Sequence, residues 1–182
     1  SGSPQSTLNL RAALRVAAGD YDGALKSMAR VQSPDPWARV WILLATDHPA
    51  EALAALQQLD PGMFIQPVPK LTSNYSWDAV AAGAALIGTG ATVQGRDLLQ
   101  RAIKANARHP IVQLQFGRSW NDAIAWSLLG DQQRACASLR EAVASGYTSN
   151  LEDLDAFSYV KSLRAQPCYQ QANRRAMHRT RA

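Results

Sequence analysis

The segment Gly19-Asp-Tyr-Asp-Gly-Ala-Leu25 has a near-echo at Gly130-Asp-Gln-Gln-Arg-Ala-Cys136. In both, a glycine and an aspartate separate two stretches of helical period. Glycine enters the left-handed backbone region without steric penalty and so ends a helix, and an aspartate close behind it caps the next one. A connection this short forces the flanking helices to pack antiparallel. A chain that builds the same corner twice is repeating a helix hairpin, and no other feature restricts its fold as much.

The remaining sequence reads the same way. Leu8, Ala12, Leu14 and Val16 precede the first corner, and Ala24, Leu25, Met28 and Val31 follow it at i, i+4 and i+7 spacings, which predicts a hairpin over about 6–32. A second, over about 36–60, opens on Pro36, turns at Asp47-His48-Pro49 and stops at Asp60-Pro61-Gly62. A third, over about 76–106, turns at Gly88-Thr89-Gly90, and its small-residue-rich first helix admits a close neighbour. The fourth, over about 119–145, carries the echo. Two irregular connections separate these units. In the first, Met63, Phe64 and Ile65 are expected to cover the core edge. The second contains the only convincing alternation, Ile111 to Phe116, and a lone strand cannot be stable. After Gly146 a capped segment at Asn150–Asp155 leads to a last helix beginning near Pro167.

Of the 182 residues, 47% are hydrophobic, enough for a continuous core. The net charge of +5 points at first to an anionic partner, but Arg174, Arg175, Arg179 and Arg181 crowd the C-terminus and leave the body near neutral. Cations there complement a helix dipole, so a solvated helix end explains them; nucleic-acid binding through the tail is the competing reading, and none is expected of this domain. No apolar run approaches the roughly 20 residues that span a bilayer. Ser1-Gly2-Ser3 reads as a cloning remnant, which leaves 4–182 as one repeat domain. The excess of arginine over lysine, with abundant alanine, is a bias associated with GC-rich bacterial genomes.

The hairpins resemble the tetratricopeptide repeat, a helix-turn-helix unit of about 34 residues with small residues at fixed positions. Ala12, Gly19, Asp20, Tyr21, Ala24, Met28 and Val31 carry the resemblance in the first unit; Gly83, Gly90, Gly95, Leu99 and Ala102 in the third; Ala123, Gly130, Asp131, Ala135, Leu139 and Ala142 in the fourth. The second unit is weaker, with Ala52 and Leu56 but Asp47 where glycine is usual. Ala24, Ala52, Gly95 and Ala135 are separated by 28, 43 and 40 residues, so the stack is expected to be irregular. The resemblance implies an all-α, tetratricopeptide-like superhelix of about four helix hairpins with a C-terminal capping helix.

The last fifty residues resemble the terminal module of bacterial repeat domains found in membrane-anchored winged-helix regulators and serine/threonine kinases. Gly146, Tyr147, Leu154, Asp155, Phe157, Leu163, Arg164, Pro167 and Tyr169 carry this resemblance, and a cap over 146–182 is expected to cover the last hairpin with Phe157, Leu163 and Tyr169. The same resemblance implies an exported domain, in which Cys136 and Cys168 form a disulfide. Two buried free thiols in a cytosolic repeat protein are the other reading.

Catalytic motifs are missing. The chain has no Walker loop, Gly-x-Ser-x-Gly, His-Glu-x-x-His or Cys-x-x-Cys, and His48, His109 and His178 lie in three separate segments. Neither enzymatic activity nor a metal or cofactor is expected. If the repeat register holds, Trp37, Trp41, Trp77 and Trp120 fall on the first-helix face that lines the concave side, where aromatic residues clamp an extended peptide. Packing against the preceding hairpin is the alternative for each tryptophan. The function expected is therefore non-catalytic binding of a protein or peptide. The resemblance adds a periplasmic sensory role in a signalling protein whose membrane anchor lies outside this segment, with a cytosolic scaffold as the alternative.

Overall fold

The computed structural model describes Arg15 and residues 18–30, 36–65, 76–107, 118–145 and 161–180. Among them every regular element is a helix: α1 (Tyr21–Met28), α2 (Pro36–Ala45), α3 (Pro49–Leu59), a 3-10 turn (Pro61–Phe64), α4 (Ser76–Gly88), α5 (Thr92–Ala107), α6 (Arg118–Leu128), α7 (Gln132–Ala144), α8 (Lys161–Arg164) and α9 (Pro167–Thr180). Four of these elements begin on a proline, whose fixed φ suits a first turn and whose missing N–H removes a donor that would have no helical partner there. The segments 150–155 and 111–116, the first three residues, and residues 4–17 apart from Arg15 lie outside the described residues.

The corner seen twice in the sequence is built four times. Gly19, Gly90 and Gly130 have φ of 75°, 89° and 86°, and Asp47 takes the same left-handed conformation at 62°. The Asp20 N–H donates to the Arg15 carbonyl at 2.8 Å, His48 to Leu43 at 2.8 Å and Asp131 to Trp126 at 2.9 Å. This is the six-to-one bond of a Schellman stop, and it satisfies a carbonyl that the ending helix leaves open. Each Gly-Asp corner then starts its next helix with a side-chain cap: the Asp20 carboxylate accepts from the Gly23 N–H at 2.9 Å, and Asp131 from the Arg134 N–H at 3.0 Å. At Asp47 the left-handed residue is itself an aspartate, one of the few L-residues that tolerate this region. The second hairpin therefore keeps the geometry while lacking the glycine.

Successive helices pack antiparallel within hairpins and then stack. Each of α1 to α6 touches the next helix in the chain, and the first helices also touch one another, α2 against α4 and α4 against α6. This pattern is that of a tetratricopeptide-like stack. Two apolar clusters meet at α4: Ala79, Ala81 and Ala82 join Val40, Leu43, Ala52 and Leu56 on one side, while Val80 joins Leu99, Trp120, Ile124 and Leu139 on the other. The stack closes with α8 and α9, where Leu163, Tyr169 and Ala172 are buried in the second cluster.

The 3-10 turn makes the 43-residue step between the second and third units longer than a plain repeat. Met63 is buried there and Phe64 packs beside the first cluster. Ile65, expected to share that role, is 62% exposed instead. The chain leaves the 3-10 turn in an extended conformation at Ile65, which carries its side chain away from the surface that Met63 fills.

Candidate functional site

Trp37 and Trp41 lie one turn apart on α2 and so share a face. Both are half-buried and packed against the cluster of Val40, Leu43, Leu56 and Met63, which leaves an aromatic edge open to solvent. Trp77 stands in the first turn of α4, next along the row of first helices; its side chain lies outside the described residues. Trp120 opens α6 but is only 1% exposed, surrounded by the second cluster. This corrects its expected place on a ligand-facing surface. The helical register puts Trp120 on a first helix, yet the neighbouring hairpin and the cap enclose it, and it acts as a core residue.

The row of first helices is also more enclosed than a repeat register implies. On α4, every residue from Ala79 to Leu86 is buried, so the helix is covered on all sides over two turns. On α6 the same holds from Trp120 to Ala125. Among the described residues α4 and α6 are therefore closed over these turns, and the half-buried tryptophans are Trp37 and Trp41 on α2 and Trp126 on α6.

Beside the α2 face lies a local concentration of negative charge. Asp78, half-buried in the first turn of α4, has its carboxyl pushed up from 3.8 to about 6, first by burial and then by the nearby charge of Asp60. Asp60 is the residue at which α3 ends and the 3-10 turn begins. A chain that is basic as a whole thus presents an acidic junction between its second and third hairpins.

Three further polar features were not legible in the sequence. The Asn106 amide donates to the Asp122 carboxyl at 2.7 Å, a buried link between α5 and α6. Ser127 and Ser162 hydroxyls meet at 3.0 Å and join α6 to α8. The Arg134 guanidinium lies over the Trp126 ring, 4.6 Å from its centroid, and also reaches Asp131. Each depends on residues far apart in the chain or on side-chain direction, for which spacing carries no signal beyond the presence of a polar residue on an otherwise apolar helix.

Cys136 on α7 and Cys168 on α9 are joined in a disulfide with their Cα atoms 5.7 Å apart. His48 stands at the start of α3, where its Nδ1 pairs with the Thr46 hydroxyl at 2.9 Å. Of the tail arginines, Arg174 is exposed on α9, and the side chains of Arg175, Arg179 and Arg181 lie outside the described residues. Among the described residues no helix is long and apolar enough to cross a membrane, and no group of three or more histidine, cysteine or acidic side chains is placed to hold a metal ion.

No family model matches the sequence, and no curated protein is similar enough to count as a relative. Among solved structures the chain is similar to the crystal structure of MamA, at 16% identity over 93% of this chain and 94% of that one, with a TM-score of 0.39.

Proposed function

We propose that this is a non-catalytic binding domain that takes a protein or peptide partner on the face formed by α2 and the start of α4. The observation that carries the reading is the sequential stacking of hairpins, each helix on the next and each first helix on the following first helix. Such a stack offers an extended, rigid surface and needs no reactive group to act. Trp37 and Trp41 supply the half-buried aromatic anchors typical of protein contacts. The Cys136–Cys168 disulfide fits an oxidising compartment. It supports an oxidising compartment such as the bacterial periplasm over the alternative of a cytosolic scaffold, while the sensory role in a membrane-anchored signalling regulator rests on the resemblance of the last fifty residues.

The test is a photo-crosslinking residue at position 37 of the full-length protein in its native cells, compared with one at Val93, which is 83% exposed on α5. Crosslinking to one protein from α2 but not from Val93 is the expected result. Replacing Trp41 and Trp77 by alanine should then abolish that crosslink while far-UV circular dichroism stays helical. Crosslinks through Val93 alone, or none from α2, would remove the site from this face.

A further inference from the structure

We propose that the face formed by α2 and the start of α4 takes a basic segment of its partner, with a lysine or arginine set against the Asp60 and Asp78 carboxyls and an apolar neighbour on Trp37. This rests on the docking face argued above and names the chemistry of its occupant.

The placement follows from the alternation of the stack. The helices of a hairpin run antiparallel, so a second helix ends where its first helix began, and the next hairpin starts at that same end. Trp37 lies in the first turn of α2, Asp60 directly follows α3, and Asp78 lies in the first turn of α4. α3 packs on both α2 and α4, and those two touch each other, which carries all three residues to one end of the stack. They also border a single apolar cluster, to which Trp37, Leu59 beside Asp60 and Ala79 beside Asp78 belong. Both carboxyls are half-buried, as is Trp37.

Two carboxylates in a partly desolvated place repel each other. The Asp78 carboxyl is pushed up to about 6, by burial first and by the Asp60 charge second, so the field acting on it is that of a neighbouring anion and not of a cation. A docked ammonium or guanidinium group offsets both the repulsion and the lost hydration, and the Trp37 ring attracts the same group through its π face. The charged residues of the surrounding helices are directed or engaged elsewhere. On α2, Arg39 is exposed two positions from Trp37, on the opposite side of the helix. His48 and Glu51 stand at the far end of α3. On α5, Lys104 is exposed opposite the stripe of Gly95, Leu99 and Ala102, and Arg101 pairs with Asp97. On α6, Asp122 accepts from the Asn106 amide, and the Arg118 side chain lies outside the described residues. The net charge of +5 opposes a basic partner only weakly, because charges beyond about 8 Å are largely screened at physiological salt. Binding a cation favours the Asp78 carboxylate, so docking weakens as pH falls through about 6.

A random dodecapeptide library, selected at pH 7.5 on the full chain and counter-selected on the Trp37→Ala chain, supplies the probe. The retained peptides are expected to carry a lysine or arginine next to a large apolar residue. Their affinity, read by fluorescence anisotropy, should fall at least about tenfold in D60N/D78N and about tenfold between pH 7.5 and pH 5 in the unaltered chain. Asp60 makes no side-chain cap bond to the 3-10 turn, and Asp78→Asn removes a destabilised charge, so the double variant should keep its far-UV circular dichroism. Trp37-dependent peptides that lack the basic residue, or whose affinity survives D60N/D78N, would overturn the basic occupant and leave the docking face standing. Recovery of no Trp37-dependent peptide would remove the face itself, and this inference with it.

Discussion

Gly83 and Gly95 face each other across the α4–α5 contact, close enough that a Cβ on Gly95 would stand 2.8 Å from the Gly83 carbonyl oxygen. The same Cβ would meet the Ile87 backbone nitrogen at 3.2 Å. Neither obstacle is the free end of a side chain, so neither can swing away. In an isolated helix Gly95→Ala gains about 1 kcal/mol of propensity. Here the overpacking outweighs it, and the substitution should destabilise the protein by about 1–2 kcal/mol net. Thermal unfolding measures this; an unchanged or raised Tm would mean that α4 and α5 can move apart.

Gly130 tests the corner alone. A Cβ there would meet nothing within 4 Å, so Gly130→Ala carries only the penalty of its left-handed backbone, φ 86°. It should lower stability by about 1 kcal/mol. Asp47→Gly places glycine where aspartate already adopts φ 62°. The relief of strain and the added freedom of the unfolded chain oppose each other there, each about 1 kcal/mol or less. Its effect should be near neutral, and a large loss would show that the Asp47 side chain contributes something beyond its backbone conformation.

Asp78 should make stability depend on pH. Its folded-state pKa, about 6, lies above the ordinary 3.8, because burial and then the Asp60 charge disfavour the carboxylate. The folded chain therefore holds this proton more tightly than the unfolded chain. The stabilisation is fully present below pH 3.8 and is lost as pH rises through about 6. Asp78→Asn, neutral throughout, should stabilise the protein at pH 7 by about 1 kcal/mol after discounting for partial solvent screening. That advantage over wild type should shrink toward pH 4. Denaturant titrations at the two pH values measure it, and a difference independent of pH would refute the assignment.

Asn106→Ala removes the donor to the Asp122 carboxyl, a bond between two side chains that are 2% and 8% exposed. The expected loss is about 1–3 kcal/mol, because a buried acceptor is deprived of a partner. Urea unfolding of the single variant is the measurement. A loss below the range would mean that the remaining contacts of Asp122 make up for the amide.

What the sequence determined by itself is the local grammar of the stack. Gly19-Asp20 and Gly130-Asp131 announced the corners because stopping a helix and capping the next are matters of a few adjacent residues. Gly83, Gly95 and Leu99 announced a close crossing because small residues at helical spacing leave room on one face. Two cysteines allow a single pairing, so the resemblance of the last fifty residues needed only proximity, which the fold supplies at 5.7 Å between Cα atoms. The tertiary structure alone decided which faces remain open. Trp37 and Trp120 occupy comparable places near the starts of first helices, yet Trp37 is half-buried and Trp120 is sealed in the core. Periodicity tells which residues share a face of a helix; how many neighbours cover that face depends on stacking, cap and connections together. The acidic junction of Asp60 and Asp78 belongs to the same class, since 18 positions of sequence separate two carboxyls that the turn between hairpins brings within electrostatic reach.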